Sequence, residues 1–162
     1  MAEIEKSVIV EYSAEQMFVL VDNVADYPKF LPWCGGASVV VQDNVTAHAT
    51  VEINYHQIRH SFTTVNKRYP VNMPASNKEG KDALIEMNLL DGPFEQLEGY
   101  WHFISLGNTS LGDTACKINF RLRYTFSSKI LEKLFGPVFH MIANNFVESF
   151  IKRAEEIYGT PS

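Results

Sequence analysis

Residues Ser128 to Tyr158 read SKILEKLFGPVFHMIANNFVESFIKRAEEIY, and this stretch decides the fold. Leu131, Phe135, Phe139, Ile142, Phe146, Phe150, Ala154 and Ile157 advance by three or four, the spacing of one buried stripe along a helix. So long a helix has a large apolar face to cover, and what precedes it is mostly short strand patterns. Either the stripe fills the concave side of a sheet, or helix and sheet close around a space that holds a ligand. Pro137 lies inside the stretch. It has no N–H for the carbonyl of Lys133 and its ring crowds that turn, so Gly136-Pro137 is expected to kink the helix or divide it into a shorter and a longer part.

The strand just before the helix is the clearest. Cys116, Ile118, Phe120, Leu122, Tyr124 and Phe126 alternate with Lys117, Asn119, Arg121, Arg123 and Thr125, one face apolar and the other polar. Upstream, Phe94 to Leu106 carries Leu97, Trp101 and Phe103 on one face, with Gly99 leaving room between them. Ala83, Ile85, Met87 and Leu89 mark another strand before the Asp91-Gly92-Pro93 turn, and Arg59 to Arg68 is a strand of weaker alternation. From Val45 to Tyr55 the alternation is again regular, after a strand at Ser38 to Gln42 and a turn at Asp43-Asn44.

At the N-terminus Ile4 to Val10 reads as a strand. Ser13 is placed to cap a helix, Gln16 completes a capping box, and Tyr12 and Met17 form a hydrophobic staple, so a helix is expected to about Asp22. A short turn follows at Val24 to Phe30, bounded by Pro28 and Pro32. No dozen-residue helical crossover separates the later strands, so the sheet must be mainly antiparallel. The predicted class is α+β, one domain over residues 1–158 with a short tail at 159–162, and a curved antiparallel sheet gripping a long C-terminal helix.

The 162 residues carry 19 acidic and 14 basic side chains, a net charge of -5, which argues against a nucleic-acid binder that works by whole-surface attraction to phosphate. Cys34 and Cys116 are too few for a disulfide framework and form no C-x-x-C pair, so two free thiols in a reducing cytoplasm are expected. No apolar run approaches a membrane span, and membrane contact is expected to be peripheral. Tyr69 to Lys81, rich in Pro, Asn and Gly, is the one linker-like stretch.

No G-x-S-x-G elbow, P-loop, dinucleotide glycine pattern or H-E-x-x-H site is present, which weakens an enzyme reading. His56 and His60 are four apart, a metal spacing on a helix, but here they straddle a strand end and a strand start, so no metal site is expected. Glu98 and His102 can be imagined as an acid-base pair, though two solvated residues explain the same letters. Lys117, Arg121 and Arg123 share the outer face of the last strand, with Lys67 or Arg68 joining them if their strand lies nearby. That pattern fits a solvated face or a phosphate-binding patch. Tyr27, Phe30, Leu31 and Trp33, in a proline-stiffened segment, are candidates to rim a pocket. Leu97, Trp101, Phe103, Phe120 and Leu122 from the sheet and Phe139, Ile142, Phe146 and Phe150 from the helix are candidates for its wall.

Four pieces carry a family resemblance: YSAEQMFVLVDNVADYPKFLPWC at Tyr12 to Cys34, FTTVN at Phe62 to Asn66, LLDGPFEQLEGYWHF at Leu89 to Phe103, and LFGPVFHMIANNFVESFIKRAEEIY at Leu134 to Tyr158. In this order the sequence resembles the bacterial ribosome-association toxins and the related mitochondrial coenzyme Q-binding proteins of the START-like polyketide cyclase/dehydrase superfamily. The resemblance implies a helix-grip fold, usually with a hydrophobic space between sheet and helix. It implies first binding to the large ribosomal subunit, which blocks joining with the small one; the alternative is non-catalytic binding of ubiquinone, another isoprenoid lipid or another lipophilic molecule in support of respiration, and a cyclase-type enzyme ranks below both. No catalytic residue and no required cofactor is implied, and the protein is expected to be a cytoplasmic monomer. The family's aromatic loop falls on Tyr27, Pro28, Phe30, Leu31, Pro32 and Cys34, and its hairpin motif on Asp91, Gly92, Pro93 and Phe94. Two features depart from the pattern: Tyr69 to Lys81 is longer than the corresponding turn, and Pro137 stands where a helix-compatible residue is expected.

Overall fold

A computed structural model describes residues 1–71, 82–106 and 114–160. Most of the linker-like stretch from Tyr69 to Lys81 therefore lies outside the described residues. The strands are β1 (Ala2–Val10), β2 (Cys34–Val41), β3 (Thr46–Tyr55), β4 (Ile58–Tyr69), β5 (Ala83–Asp91), β6 (Phe94–Ser105) and β7 (Cys116–Phe126). They form one antiparallel sheet in the order β1-β7-β6-β5-β4-β3-β2. From β2 to β7 each strand pairs with the next, as short connections require, and β1 closes the far edge against β7, with Ile4 opposite Leu122 and Val8 opposite Ile118.

Helix α1 (Ala14–Asp22) begins with the expected capping box: the Gln16 N–H donates to Ser13 Oγ at 3.0 Å, and the Ser13 N–H donates to Gln16 Oε1 at 2.9 Å. Tyr12 and Met17, the staple, are both buried. A 3-10 turn at Val24–Lys29 follows.

The C-terminal stretch is two helices, α2 (Lys129–Asn144) and α3 (Phe146–Tyr158), and they part at Asn145 rather than at Pro137. Pro137 sits inside α2, which runs on through it. At Asn145 the backbone takes φ -102° and ψ 4°, and its side-chain amide donates to the Met141 carbonyl at 3.0 Å, closing α2. The break re-phases the stripe. Phe135, Phe139, Ile142, Phe150 and Ala154 are buried, Leu131 and Phe146 are half-buried, and Ile157 is exposed. In place of Ile157, Tyr158 faces the fold: its ring lies 6.1 Å from that of Tyr12 and its hydroxyl donates to the Gln16 carbonyl at 3.0 Å.

Two glycines are required by contact. At Gly99 a Cβ would come within 2.4 Å of the Arg121 carbonyl oxygen and 3.0 Å of Leu122 Cδ1. Gly92, in the β5–β6 turn, has φ +149°, and a Cβ there would lie 2.6 Å from Phe62 Cβ.

Candidate functional site

Between the concave face of the sheet and the two C-terminal helices the side chains do not close completely. The remaining cavity has a volume of about 80 Å³. An apolar cavity of about 150 Å³ holds benzene, so this space as it stands takes a small apolar group, and a ring enters only as the lining gives way. Its lining is apolar almost throughout. Leu97, Phe120 and Leu122 come from β6 and β7, Phe139, Ile142 and Phe146 from the helical side, and Tyr27 and Trp33 from the segment after α1.

Tyr27 is held as a wall rather than a rim. It is buried, its hydroxyl donates to the Val21 carbonyl, and its ring lies 5.2 Å from that of Phe150. Burial, followed by the nearby Asp22, pushes its hydroxyl far above the ordinary tyrosine value, so it stays neutral. Asp22 is itself raised by burial, against the opposing pull of Arg68 at 3.2 Å.

Of the residues singled out from sequence, Tyr27, Trp33, Leu97, Phe120, Leu122, Phe139, Ile142 and Phe146 line the cavity. Leu31, Trp101, Phe103 and Phe150 lie in solid core instead: Trp101 stacks on Phe103 at 5.9 Å and meets Phe150 edge-on at 5.4 Å. Phe30 packs on Phe150 from outside and carries the Arg153 guanidinium over its ring at 4.9 Å.

Ala49, Val51, Phe62, Met87 and, above all, Thr64 and Asn66 also line the space, though none of them was a candidate from sequence. Thr64 and Asn66 are the buried polar residues among those described, and the Thr64 hydroxyl donates to Asn66 Oδ1 at 2.7 Å. They occupy inward positions of β4, opposite Ala49 and Ala47 of β3. Their signal was the weak apolar alternation of that strand.

On the outer face of the sheet the cations of β7 have acidic company from its neighbours. Arg121 lies 3.2 Å from Glu3, and Arg123 lies 3.4 Å from Glu3 and 3.5 Å from Glu98. Lys117 faces Ile9 and Ile104 in register and makes no ion pair among the described residues. Lys67 and Arg68 do not join this group, since β5 and β6 separate β4 from β7, a distance of about 14 Å by strand spacing. Glu98 and His102 take separate partners: Glu98 pairs with Arg123, and His102 Nε2 lies 3.7 Å from Asp82. His60 packs against Phe135 at 4.7 Å and His56 sits in the β3–β4 turn with φ 54°. Among the described residues no cluster of His, Cys, Asp or Glu can hold a metal ion, and no helix is long and apolar enough to cross a membrane.

The model of a family described as polyketide cyclase / dehydrase and lipid transport matches residues 10–151. The chain is 40% identical over 159 residues to the ribosome association toxin RatA of Vibrio cholerae, covering 98% of this chain and 99% of that one. It is 26% identical to the mitochondrial coenzyme Q-binding protein COQ10 homolog B of Xenopus laevis, covering 97% of this chain and 59% of that protein. Among solved structures it resembles an 18 kDa protein from Caulobacter crescentus, with a TM-score of 0.67 and 26% identity over 99% of this chain and 100% of that one. Sheet, helices and sequence agree from end to end, and the chain belongs to the polyketide cyclase/dehydrase and lipid transport family, in its RatA-like branch.

Proposed function

We propose that this protein binds the large ribosomal subunit and opposes its joining with the small one. The observation that carries this reading is the 40% identity, over nearly the full length of both chains, to a protein named a ribosome association toxin. The chain acts by binding rather than by catalysis. On its surface the outer face of β7 supports the reading. Lys117 is unpaired among the described residues, and the side chains of Arg121, Arg123, Glu3 and Glu98 are about two-fifths exposed. Exposed pairs of this kind are worth about 0–1 kcal/mol each, so a ribosomal phosphate can replace Glu3 at little cost.

Sedimentation of purified subunits through a sucrose gradient, with and without added protein, tests the proposal. Joined ribosomes should fall as protein is added, and unchanged joining at saturating protein refutes it. Charge reversal at Arg121 and Arg123 should weaken binding and flatten its salt dependence. If neither changes, another surface makes the contact.

A second reading is favoured by the cavity. We infer that it holds the apolar head of a lipophilic molecule, an isoprenoid quinone such as ubiquinone being one case, whose tail must leave the space because about 80 Å³ does not contain it. Removing such a head from water is favourable by about 25 cal/mol per Å² of apolar surface. Native mass spectrometry of protein purified without detergent, followed by quinone titration read through Trp33 and Trp101 fluorescence, checks it. No retained lipid and no saturable response would remove this reading and leave the ribosomal one standing.

A further inference from the structure

We propose that the cavity selects an uncharged lipophilic molecule that carries a carbonyl oxygen, and that the Asn66 side-chain amide donates a hydrogen bond to that oxygen. The inference rests on the cavity-binding reading and adds the chemical class of the ligand.

Asn66 and Thr64 are both more than nine-tenths buried, and both line the otherwise apolar cavity. The Thr64 hydroxyl donates to Asn66 Oδ1 at 2.7 Å, which commits the oxygen end of the amide to the protein. The nitrogen end, with two N–H donors, makes no hydrogen bond among the described residues. That nitrogen is not one of the sealed unpartnered atoms of the described residues, and a molecule in the space that brings an acceptor gains a hydrogen bond from it. Ala47 and Ala49 stand opposite Asn66 and Thr64 in register, and their short side chains leave room beside the polar pair. The apolar body of the ligand then lies toward Leu97, Phe120, Leu122 and Phe146 on the remaining walls.

Charge is excluded by the same lining. Among the described residues no lysine, arginine, histidine, aspartate or glutamate borders the cavity, so a carboxylate or ammonium entering it would lose its hydration without gaining a counter-ion from them. The acceptor is therefore neutral, as in a ketone, a quinone or an ester.

Acetophenone, ethylbenzene and benzoate separate these requirements, since the first two differ in shape only by a carbonyl in place of a methylene. Acetophenone should bind saturably and shift the Asn66 side-chain amide resonances in ¹H–¹⁵N spectra. Ethylbenzene should bind without that shift, and benzoate should not bind. In the double variant Thr64→Val with Asn66→Leu, which replaces both partners by apolar groups of similar shape, the affinity ratio of acetophenone to ethylbenzene should fall about tenfold. An unchanged ratio, with both compounds still bound, overturns the carbonyl inference and leaves the cavity reading intact. Benzoate binding as tightly as acetophenone also overturns it. If no compound binds either protein, the cavity reading and this inference fall together. Should the double variant not fold, the wild-type spectra decide: an Asn66 amide unmoved at saturating acetophenone refutes the proposal.

Discussion

Truncating Phe150 and Phe146 to alanine distinguishes solid core from cavity wall. Phe150 has no accessible surface, and its ring is enclosed by those of Phe146, Tyr27, Phe30 and Trp101 at 5.0, 5.2, 5.4 and 5.4 Å. Phe150→Ala loses the transfer free energy of the ring and leaves a hole that rigid aromatic neighbours cannot fill, a cost of about 3–5 kcal/mol. Phe146 meets Trp101 at 5.7 Å and Phe120 at 6.0 Å, but it is half-buried and borders the existing space. Phe146→Ala widens a void already present. Only about half the 1.5–3 kcal/mol of a fully buried phenylalanine is lost, with a small further term, giving about 1–2 kcal/mol. For a chain of this size each kcal/mol moves the melting temperature by roughly 2–4 °C, so the two variants should be well separated in a thermal scan. Urea titration followed by far-ultraviolet circular dichroism gives the free energies, provided the slopes agree. Equal losses of about 3 kcal/mol or more at both positions would mean that Phe146 is packed as core and the space is filled, refuting the cavity.

Gly99→Ala should cost about 2–3 kcal/mol in thermal unfolding, because its Cβ would meet the Arg121 carbonyl at 2.4 Å within the β6–β7 ladder; a negligible loss would contradict that approach. Asp43 accepts from the N–H groups of Val45 and Thr46 at 2.8 and 2.7 Å, and these bonds hold its carboxyl below the ordinary 3.8. Its contribution to the β2–β3 turn is thus present above 3.8 and lost as pH falls through the lower folded value; the protection of the Val45 and Thr46 amides, relative to their intrinsic exchange at each pH, should fall over that window and hold in Asp43→Asn. Burial pushes the Cys116 thiol up to about 12, so a thiol reagent at neutral pH should label it only when the chain unfolds, and rapid labelling of native protein would show that the strand is open.

Most strands were legible because one face of each is buried, so polarity alternates with the pleat. In β7 every second residue from Cys116 to Phe126 is buried, and the same holds from Ala47 to Ile53 in β3. β4 alternated less clearly because its inward residues include Thr64 and Asn66, and that irregularity marked the buried polar pair that lines the cavity among the described residues. The position of the helix break was not legible. Pro137 costs α2 a hydrogen bond locally, whereas the turn at Asn145 accompanies the packing of Phe150 among Tyr27, Phe30 and Trp101, which are remote in sequence. Remoteness also hid the acids beside Arg121 and Arg123, since Glu3 reaches them only because β1 pairs with β7. Periodicity places Trp101 and Leu97 on the same face, but only the packing of neighbouring rings decides that Trp101 is sealed while Leu97 borders space.

β1 is the first of the seven strands to be synthesised and the last that can be paired. Ser7 must wait for Asn119, 112 residues later, to which its hydroxyl donates at 2.8 Å. β2 to β7 can zip hairpin by hairpin as they emerge, whereas closing β1 onto β7 spans nearly the whole domain and carries the loop entropy and slow kinetics of non-local pairing. The final fastenings lie later still: the Tyr12 hydroxyl donates to the Gly159 carbonyl at 2.8 Å, and Tyr158 reaches back to Gln16. During translation Ile4, Val8 and Val10 therefore stand uncovered until the C-terminal quarter of the domain has left the exit tunnel. A fold proposed to act on ribosomes is in this way withheld, by its own topology, from the ribosome that is still making it.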